Sequence, residues 1–185
     1  MIEDNYAMAE ERMRKTLEIT GQHLAGIRTG RATAGLLDGV RVEYYGSMVP
    51  LSHVANINIP EPRLIVIQPW DRGLIPEIEK AIQASNLGLN PSNDGNVIRL
   101  PVPPLSEERR RDLVKVARKL AEEGRVAIRN IRREANDALK KAQREKVISE
   151  DDSKRAMADI QELTDKYIKL IDQLLEKKEQ EIMEV

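Results

Sequence analysis

Three long stretches of the chain repeat apolar residues at intervals of three and four, and this spacing limits the fold more than any other feature. It places the apolar side chains of each stretch on one side of an α-helix. The stretches run from Ile2 to about Thr29, from Ser106 to about residue 145, and from Ser149 nearly to the C-terminus, and the spacing of Ser149 and Asp152 predicts a capping box at the start of the third. Each apolar stripe has to be buried against other helices. We therefore predict a three-helix bundle.

The region between the first two stretches has a different composition. Gly, Pro and Asn become frequent, and β-branched residues replace the three-four spacing. The alternating and apolar runs predict strands near 40–45, 54–59, 64–68 and 97–100. Pro at the start of 76–84, with Ile78 and Ile82 one turn apart, predicts a short helix there. We predict a compact α/β insert with Trp70 at the edge of its core. The fold class is then α+β.

The insert divides the chain into two predicted domains. Residues 1–29 and 106–185 form the bundle, and residues 30–105 form the small domain. The connections near 29–31 and 102–106 contain Gly30 on entry and several prolines on exit. Two narrow connections predict hinges that let the small domain swing.

Composition excludes several classes of protein. Cysteine is absent, which rules out disulfides and thiolate metal sites and is consistent with a reducing compartment. The acidic, amphipathic N-terminus does not resemble a signal peptide, and no apolar run approaches the roughly 20 residues of a membrane span. We expect a soluble, cytoplasmic monomer that has no contact with a membrane.

Local charge is more informative than the overall balance of 30 Lys and Arg against 31 Asp and Glu. Residues 106–146 contain 14 basic and eight acidic side chains, a net charge of +6. Residues 147–185 contain six basic and 11 acidic side chains, a net charge of −5. This asymmetry predicts one basic working surface.

The basic side chains of the second long helix fall on one side of it. At about 100° per residue, the following arginines lie within about 40° of Arg118: Arg111, Arg125, Arg129 and Arg132. The apolar stripe lies on one side of them and most of the acids lie on the other. Only Glu122 interrupts the basic stripe.

Two interpretations of this stripe remain open. The arginines pair with acids on the neighbouring, acidic helix, or they bind phosphate groups. Segregation of charge by helix face and the preference for Arg, whose planar fork suits phosphate oxygens, favour the second. Residues 106–146 contain no aromatic side chain on which bases could stack, so we expect contact with the backbone of a folded RNA. A scaffold that docks on an acidic protein surface is a further alternative.

Catalysis finds little support in the sequence. His23 and His53 are the only histidines, and His23 falls within the pattern of the first helix, which favours a structural role. Asp94 lies in an Asn-Asp-Gly stretch that is typical of a turn. No phosphate-binding loop, dinucleotide motif or nucleophile elbow is present. We expect no enzyme activity, metal or cofactor.

Several motifs in order along the whole chain resemble those of the bacterial ribosome recycling factor family. They are GIRTGRA (26–32), EYYGSMVPL (43–51), PEPR (60–63), LGLNPSNDGNVIRLPVPPL (87–105), EERR (107–110), RVAIRNIRR (125–133) and ISEDD (148–152). The resemblance implies a three-helix bundle hinged to a small β/α/β domain, with an L shape like that of tRNA. It also implies that the protein binds the ribosome after termination. Elongation factor G and GTP then drive separation of the subunits and release of mRNA and tRNA.

The resemblance also assigns residues. The family's RNA-contacting arginines match Arg129, Arg132, Arg133, Arg28 and Arg31, with Arg110 a weaker match. The set predicted to contact large-subunit ribosomal RNA, including the stripe, is Arg28, Arg31, Arg110, Arg118, Arg125, Arg129, Arg132 and Arg133. The matching hinge residues are Thr29, Gly30, Pro103, Pro104 and Leu105.

Two positions depart from the family's usual pattern. Gly124 replaces a common alanine, at a local cost of about 1 kcal/mol in helix propensity. Met48 and Val49 stand in a turn that is usually richer in Pro and Thr, so the contacts of that loop are not assigned.

Overall fold

The computed structural model describes residues 1–184. The chain forms two compact units. One contains Met1–Thr29 and the chain from Glu107 onward, and the other is Gly30–Ser106. A long helical bundle and a small sheet-containing unit together confirm the α+β fold class. The second boundary lies one residue later than predicted, because the helix that follows begins at Glu107.

Three long helices make up the bundle and a short one belongs to the small unit. The long helices are α1 (Ile2–Ala25), α3 (Glu107–Arg144) and α4 (Glu150–Met183), and the short one is α2 (Ile75–Ala84). Acidic side chains occupy the first turn of each long helix, where they favour the helix dipole. The Ser149 hydroxyl accepts a hydrogen bond from the backbone N–H of Asp152 at 3.1 Å and caps α4 as predicted.

The first helix ends four residues before the predicted position. Gly26 follows Ala25, and the N–H of Ile27 donates to the carbonyl of Leu24 at 3.1 Å, in a turn tighter than the α-helix. Glycine lowers helix propensity by about 1 kcal/mol, which accounts for the early end.

The three apolar stripes meet in one core. Met13 of α1, Ile128 of α3 and Ile171 of α4 are fully buried. Many of the buried positions of α3 carry small residues, which lets the neighbouring helices approach closely. These positions are Ala117, Ala121, Gly124, Ala135 and Ala142.

Gly124 marks a very close approach in the bundle. A Cβ atom at this position would lie 2.6 Å from Oγ1 and 3.1 Å from Cγ2 of Thr20, and 3.2 Å from Cδ1 of Ile171. Thr20 is 4% exposed, so its side chain has no room to move aside. The low helix propensity of glycine is therefore offset by close packing of α1 and α4 against α3.

The small unit combines a four-stranded sheet with a hairpin. The hairpin strands are β1 (Arg41–Tyr44) and β2 (Ser47–Pro50). The sheet contains β3 (Ala55–Glu61), β4 (Leu64–Pro69), β5 (Ser92–Asn93) and β6 (Ile98–Pro101), all antiparallel in the order β3-β4-β6-β5. The sequence analysis did not predict β2 or β5, because β2 ends in proline and β5 has only two residues.

Tyr45 and Gly46 form the turn of the hairpin. Tyr45 (φ 48°) and Gly46 (φ 81°) both have positive φ, which is typical of a two-residue type I′ turn. This geometry pairs Tyr44 with Ser47 and places Met48 in β2, where it is exposed. The Met48-Val49 departure therefore lies in a strand and not in a turn.

One side of the sheet is buried against α2. Ile65 and Ile67 of β4 pack in the same core as Ile78 and Ile82 of α2. Trp70, just beyond β4, is 64% exposed. The prediction that its ring covers the edge of this core is wrong, because Trp70 lies beyond the end of the strand and its side chain is exposed to solvent.

The entry and exit segments of the small unit lie side by side. Gly30 has φ +75°, and a Cβ atom there would lie 3.1 Å from Cγ and 3.3 Å from the backbone N of Leu105. Glycine at position 30 is thus required both by the backbone and by the neighbouring segment. Thr29 and Leu105 are half-buried, and Pro103 and Pro104 are exposed.

Candidate nucleic-acid interface

Helix α3 presents a different chemistry on each of three sides. Its apolar side is buried in the core, with Leu113 and Ile128 among the residues there. Its acidic side faces α1, where Arg12 donates a short hydrogen bond to Glu134. Its basic side borders α4. The order of the helices around α3 therefore decides which arginines meet acids.

Two arginines of the stripe pair with acids on α4. Arg118 Nε lies 2.7 Å from Oε1 of Glu179, and Arg125 Nη2 lies 2.7 Å from Oδ1 of Asp172. Arg125 also donates to Glu122 at 3.0 Å, and its side chain is only 19% exposed. The alternative in which the stripe pairs with acids of the neighbouring helix therefore applies to these two arginines. The acids of α4 that meet them are Glu179 and Asp172.

The arginines nearer the C-terminal end of α3 have different surroundings. Arg129 Nη1 lies 3.3 Å from Oε1 of Glu122, and its side chain is 40% exposed. Arg132 donates to the amide oxygen of Gln161 at 3.4 Å and has no carboxylate within ion-pair distance in residues 1–184. Arg133 is exposed and likewise has no ion pair in the described chain.

A glutamine prevents an ion pair at Arg132. Arg118 pairs with residue 179 and Arg125 with residue 172, so the same antiparallel register would offer residue 165 to Arg132. Asp165 instead accepts a hydrogen bond from Nε2 of Gln161 at 2.9 Å. Since the amide of Gln161 lies between them, the charge of Arg132 is not neutralised by α4.

Two further cations extend this side of α3 beyond the predicted set. Lys140 and Arg144 are exposed and lie within about 80° of Arg118 around the helix. Neither has an ion pair among residues 1–184. Both lie beyond the RNIRR motif and were not predicted, although the three-four spacing of the basic side continues to them. We call the set Arg129, Arg132, Arg133, Lys140 and Arg144 the outer basic ridge.

The other predicted RNA-binding arginines lie outside the ridge. Arg28 follows the end of α1 in the bundle unit and is exposed, whereas Arg31 is an exposed residue of the small unit. Arg110 is half-buried in the first turn of α3, on the side of the core residues.

The residues weighed as catalytic candidates have structural surroundings. The carboxylate of Asp94 accepts hydrogen bonds from the N–H groups of Val97 and Asn96 and from Arg99, and these lower its pKa to about 2. The residue therefore closes a turn, as the sequence predicts. His23 is exposed on α1 and does not pack in the core. Within residues 1–184, no three His, Cys, Asp or Glu side chains lie close enough together to hold a metal.

Comparison with known proteins gives the family. The model of the family described as "Ribosome recycling factor" matches residues 20–183. This chain belongs to the ribosome recycling factor family. None of the helices in the described part of the chain is long and apolar enough to cross a membrane.

Members of the family from several bacteria resemble the chain over nearly its whole length. The ribosome-recycling factor of Symbiobacterium thermophilum is 63% identical over 177 residues, which are 96% of each protein. That of Syntrophomonas wolfei is 58% identical over all 185 residues of both.

Solved structures of the family resemble it too. A solution structure of a ribosome recycling factor has a TM-score of 0.74 and 49% identity, covering 100% of this chain and 98% of the other. A second structure contains the T. thermophilus ribosome recycling factor and the E. coli elongation factor G bound to the E. coli post-termination complex. The matched chain has a TM-score of 0.64 and 54% identity, with 99% of both chains covered.

Proposed function

We propose that this protein recycles ribosomes by binding the post-termination ribosome in the cytoplasm. Elongation factor G with GTP then drives separation of the subunits and release of mRNA and tRNA. Family membership supports the role in recycling, and the relative seen with elongation factor G on a post-termination complex supports the partner. We further propose that the protein acts as a monomer and catalyses no reaction itself, since GTP belongs to the elongation factor.

The outer basic ridge carries the proposal that the bundle binds ribosomal RNA. The ridge projects five cations from the C-terminal half of α3, and Arg132 and Arg133 have no carboxylate partner in residues 1–184. Guanidinium groups that are not neutralised within the protein are available to bind phosphate oxygens two at a time. No aromatic side chain lies on α3, so the ridge would contact the RNA backbone and its shape and would not stack on bases.

We propose different roles among the eight predicted arginines. Arg132 and Arg133 bind RNA with Arg129, while Arg118 and Arg125 hold α3 against α4. Arg28, Arg31 and Arg110 stay predicted RNA contacts.

Long helices that are joined by ion pairs are suited to transmitting force. Helices α3 and α4 contain 38 and 34 residues and would be roughly 57 and 51 Å long at 1.5 Å per residue. Ion pairs between them, at Arg118 and Arg125, oppose sliding of one helix along the other. We propose that elongation factor G acts on the small unit, that the hinge residues Thr29, Gly30, Pro103, Pro104 and Leu105 let this unit move, and that the ridge holds the bundle on RNA meanwhile.

Ribosome binding by single-arginine variants tests this function. Arg132→Ala and Arg133→Ala should each weaken binding by about 1–3 kcal/mol, the value of a charge-assisted hydrogen bond, without loss of helicity. Each should also reduce the dependence of binding on salt by about one counterion. Arg14→Ala is a matched control, because Arg14 is an exposed arginine of α1 that pairs with Glu11.

The same experiment separates RNA from protein as the partner. Co-sedimentation with ribosomes should be lost after nuclease treatment of the RNA, whereas docking on an acidic ribosomal protein would survive it. Subunit splitting with elongation factor G and GTP should require the chain and should fall in the Arg132 and Arg133 variants. Wild-type binding by both variants would overturn the RNA interface.

A further inference from the structure

One acid lies in the middle of the basic surface of α3. Glu122 is about 40° from Arg118 around the helix, between the directions of Arg129 and Arg133. The nearby acids of α3 lie farther round the helix, Asp137 about 60° and Glu123 and Glu134 about 100° or more from Glu122. Its side chain is exposed.

Each oxygen of this carboxylate holds a different arginine. Oε2 accepts a hydrogen bond from Nη1 of Arg125 at 3.0 Å, and Oε1 accepts one from Nη1 of Arg129 at 3.3 Å. The bond from Arg125 lowers the pKa of Glu122 most, and although desolvation raises it, the bond from Arg129 and the charges of both arginines lower it further, so the group is ionised at neutral pH. The two arginines have different alternatives, since Arg125 also bonds to Asp172 and Arg129 has only Glu122 among the acids of residues 1–184.

We propose that Glu122 competes with phosphate for Arg129 and thereby limits how tightly the outer basic ridge binds RNA. A carboxylate and a phosphate use the same guanidinium N–H donors. An RNA phosphate that reaches Arg129 must displace Glu122 or share the guanidinium with a second negative charge a few ångströms away. In both cases part of the attraction between the phosphate and Arg129 is lost. The proposal rests on the proposed function, because it assumes that Arg129 binds RNA.

A limited affinity suits a protein that has to leave the ribosome after each round. Glu122 lowers the affinity without removing a cation, so the ridge keeps its charge pattern and its shape. Because Arg125 keeps its bond to Asp172, release of Glu122 would free Arg129 without loosening the contact between α3 and α4.

Glu122→Gln tests the proposal, with Glu123→Gln as its matched control. Both variants remove one negative charge from neighbouring exposed positions of α3, but only position 122 lies on the basic side of the helix. Dissociation constants and dissociation rates of labelled protein on ribosomes would be measured at several salt concentrations. We expect Glu122→Gln to bind roughly three- to tenfold more tightly than Glu123→Gln and to dissociate correspondingly more slowly.

An Arg129→Gln background shows whether Glu122 acts through Arg129. There the difference between the Glu122→Gln and Glu123→Gln variants should disappear. Equal binding by these two variants in the wild-type background would overturn the proposal, and so would weaker binding by Glu122→Gln, which would mean that Glu122 holds Arg129 ready for RNA.

The arginine variants distinguish this failure from failure of the proposed function. If Arg132→Ala and Arg133→Ala weaken binding while Glu122→Gln equals its control, only the competition is wrong. If neither arginine variant weakens binding, the RNA interface itself is wrong. Thermal unfolding of all variants checks that their folds are intact.

Discussion

Arg118 and Arg125, in the N-terminal half of α3, pair with acids of α4, whereas Arg132 and Arg133, nearer its C-terminal end, pair with no carboxylate of residues 1–184. Arg118 and Arg125 each have an acid of α4 at 2.7 Å, while Arg132 meets an amide at 3.4 Å. Residue type and angular position on α3 are nearly the same in both halves. The difference is made by α4, which offers Glu179 and Asp172 to one half and Gln161 to the other. An arginine of α3 is therefore available to bind a partner molecule only where the adjacent helix does not neutralise it with an acid.

The most direct test of this difference is to place an acid of α4 opposite Arg132. Gln161→Glu would place a carboxylate where Arg132 now meets an amide oxygen. We expect ribosome binding to weaken by about 1–3 kcal/mol, close to the effect of Arg132→Ala, because the new ion pair neutralises that arginine.

Gln180→Glu makes the same charge change at an exposed position of α4. It should have less than half of that effect. Equal losses from Gln161→Glu and Gln180→Glu would mean that overall charge, and not the pairing of Arg132, sets the affinity.

We expect that a methyl group added at Gly124, in the N-terminal half of α3, cannot be accommodated by the packing of the bundle. Gly124→Ala should lower the free energy of unfolding by about 1–2 kcal/mol, because the clash with Thr20 outweighs the gain in helix propensity. Gly21→Ala is the control, since its Cβ would meet Leu174 at an ordinary 3.7 Å, and this variant should be neutral or more stable.

Removing the hydroxyl and methyl groups of Thr20 should relieve the clash with Ala at position 124. Thr20→Ala combined with Gly124→Ala should recover most of the loss, as measured by denaturant unfolding and a double-mutant cycle. A double variant that is no more stable than the sum of its parts would show that Thr20 is not the obstacle.

The loss of stability in arginine-to-alanine variants should be larger for the paired arginines of α3 than for the unpaired ones. Arg125→Ala should destabilise the protein by about 1 kcal/mol, because it removes two ion pairs from a side chain that is 19% exposed. Arg118→Ala should cost less, since its side chain is 66% exposed, and Arg133→Ala should change stability by less than about 0.5 kcal/mol.

Ribosome binding should rank these variants in the reverse order. Arg133→Ala should bind most weakly and Arg125→Ala should bind almost like the wild type. If Arg125→Ala lost as much affinity as Arg133→Ala, the separation of the two roles would be wrong.

The smallest effect is expected on the acidic side of α3. The hydrogen bond and charge of Arg12 lower the pKa of Glu134 from its ordinary value of 4.5. A folded-state pKa below the unfolded one adds stability above the unfolded value, and this stability is lost as the pH falls through the folded pKa. Arg12→Ala should return the pKa of Glu134 towards 4.5, as measured by NMR.

The stability difference between Arg12→Ala and the wild type should then be small at neutral pH and vanish in acid. Glu11 is an internal control, because Arg14 lowers its pKa and is unaffected by the substitution. An unchanged pKa at Glu134 would show that the pair with Arg12 does not form in solution.

Local patterns predicted much of the fold. The three-four spacing indicated the three long helices, and the capping serine at position 149 was predicted and found. Short or exposed elements were missed, such as β5 with two residues and β2 with its proline, because neither leaves a clear hydrophobic period. The early end of α1 was missed because an apolar residue, Ile27, continued the pattern past the glycine.

For the candidate site, the sequence by itself determined that arginines share one side of α3, because a helix turns about 100° per residue whatever surrounds it. Only the tertiary structure decided which of them are neutralised. The sequence does not specify which helix lies on the basic side or in what register, and these two facts bring Asp172 to Arg125 and Gln161 to Arg132. For the same reason, the need for glycine at position 124 became apparent only when Thr20 was found against it.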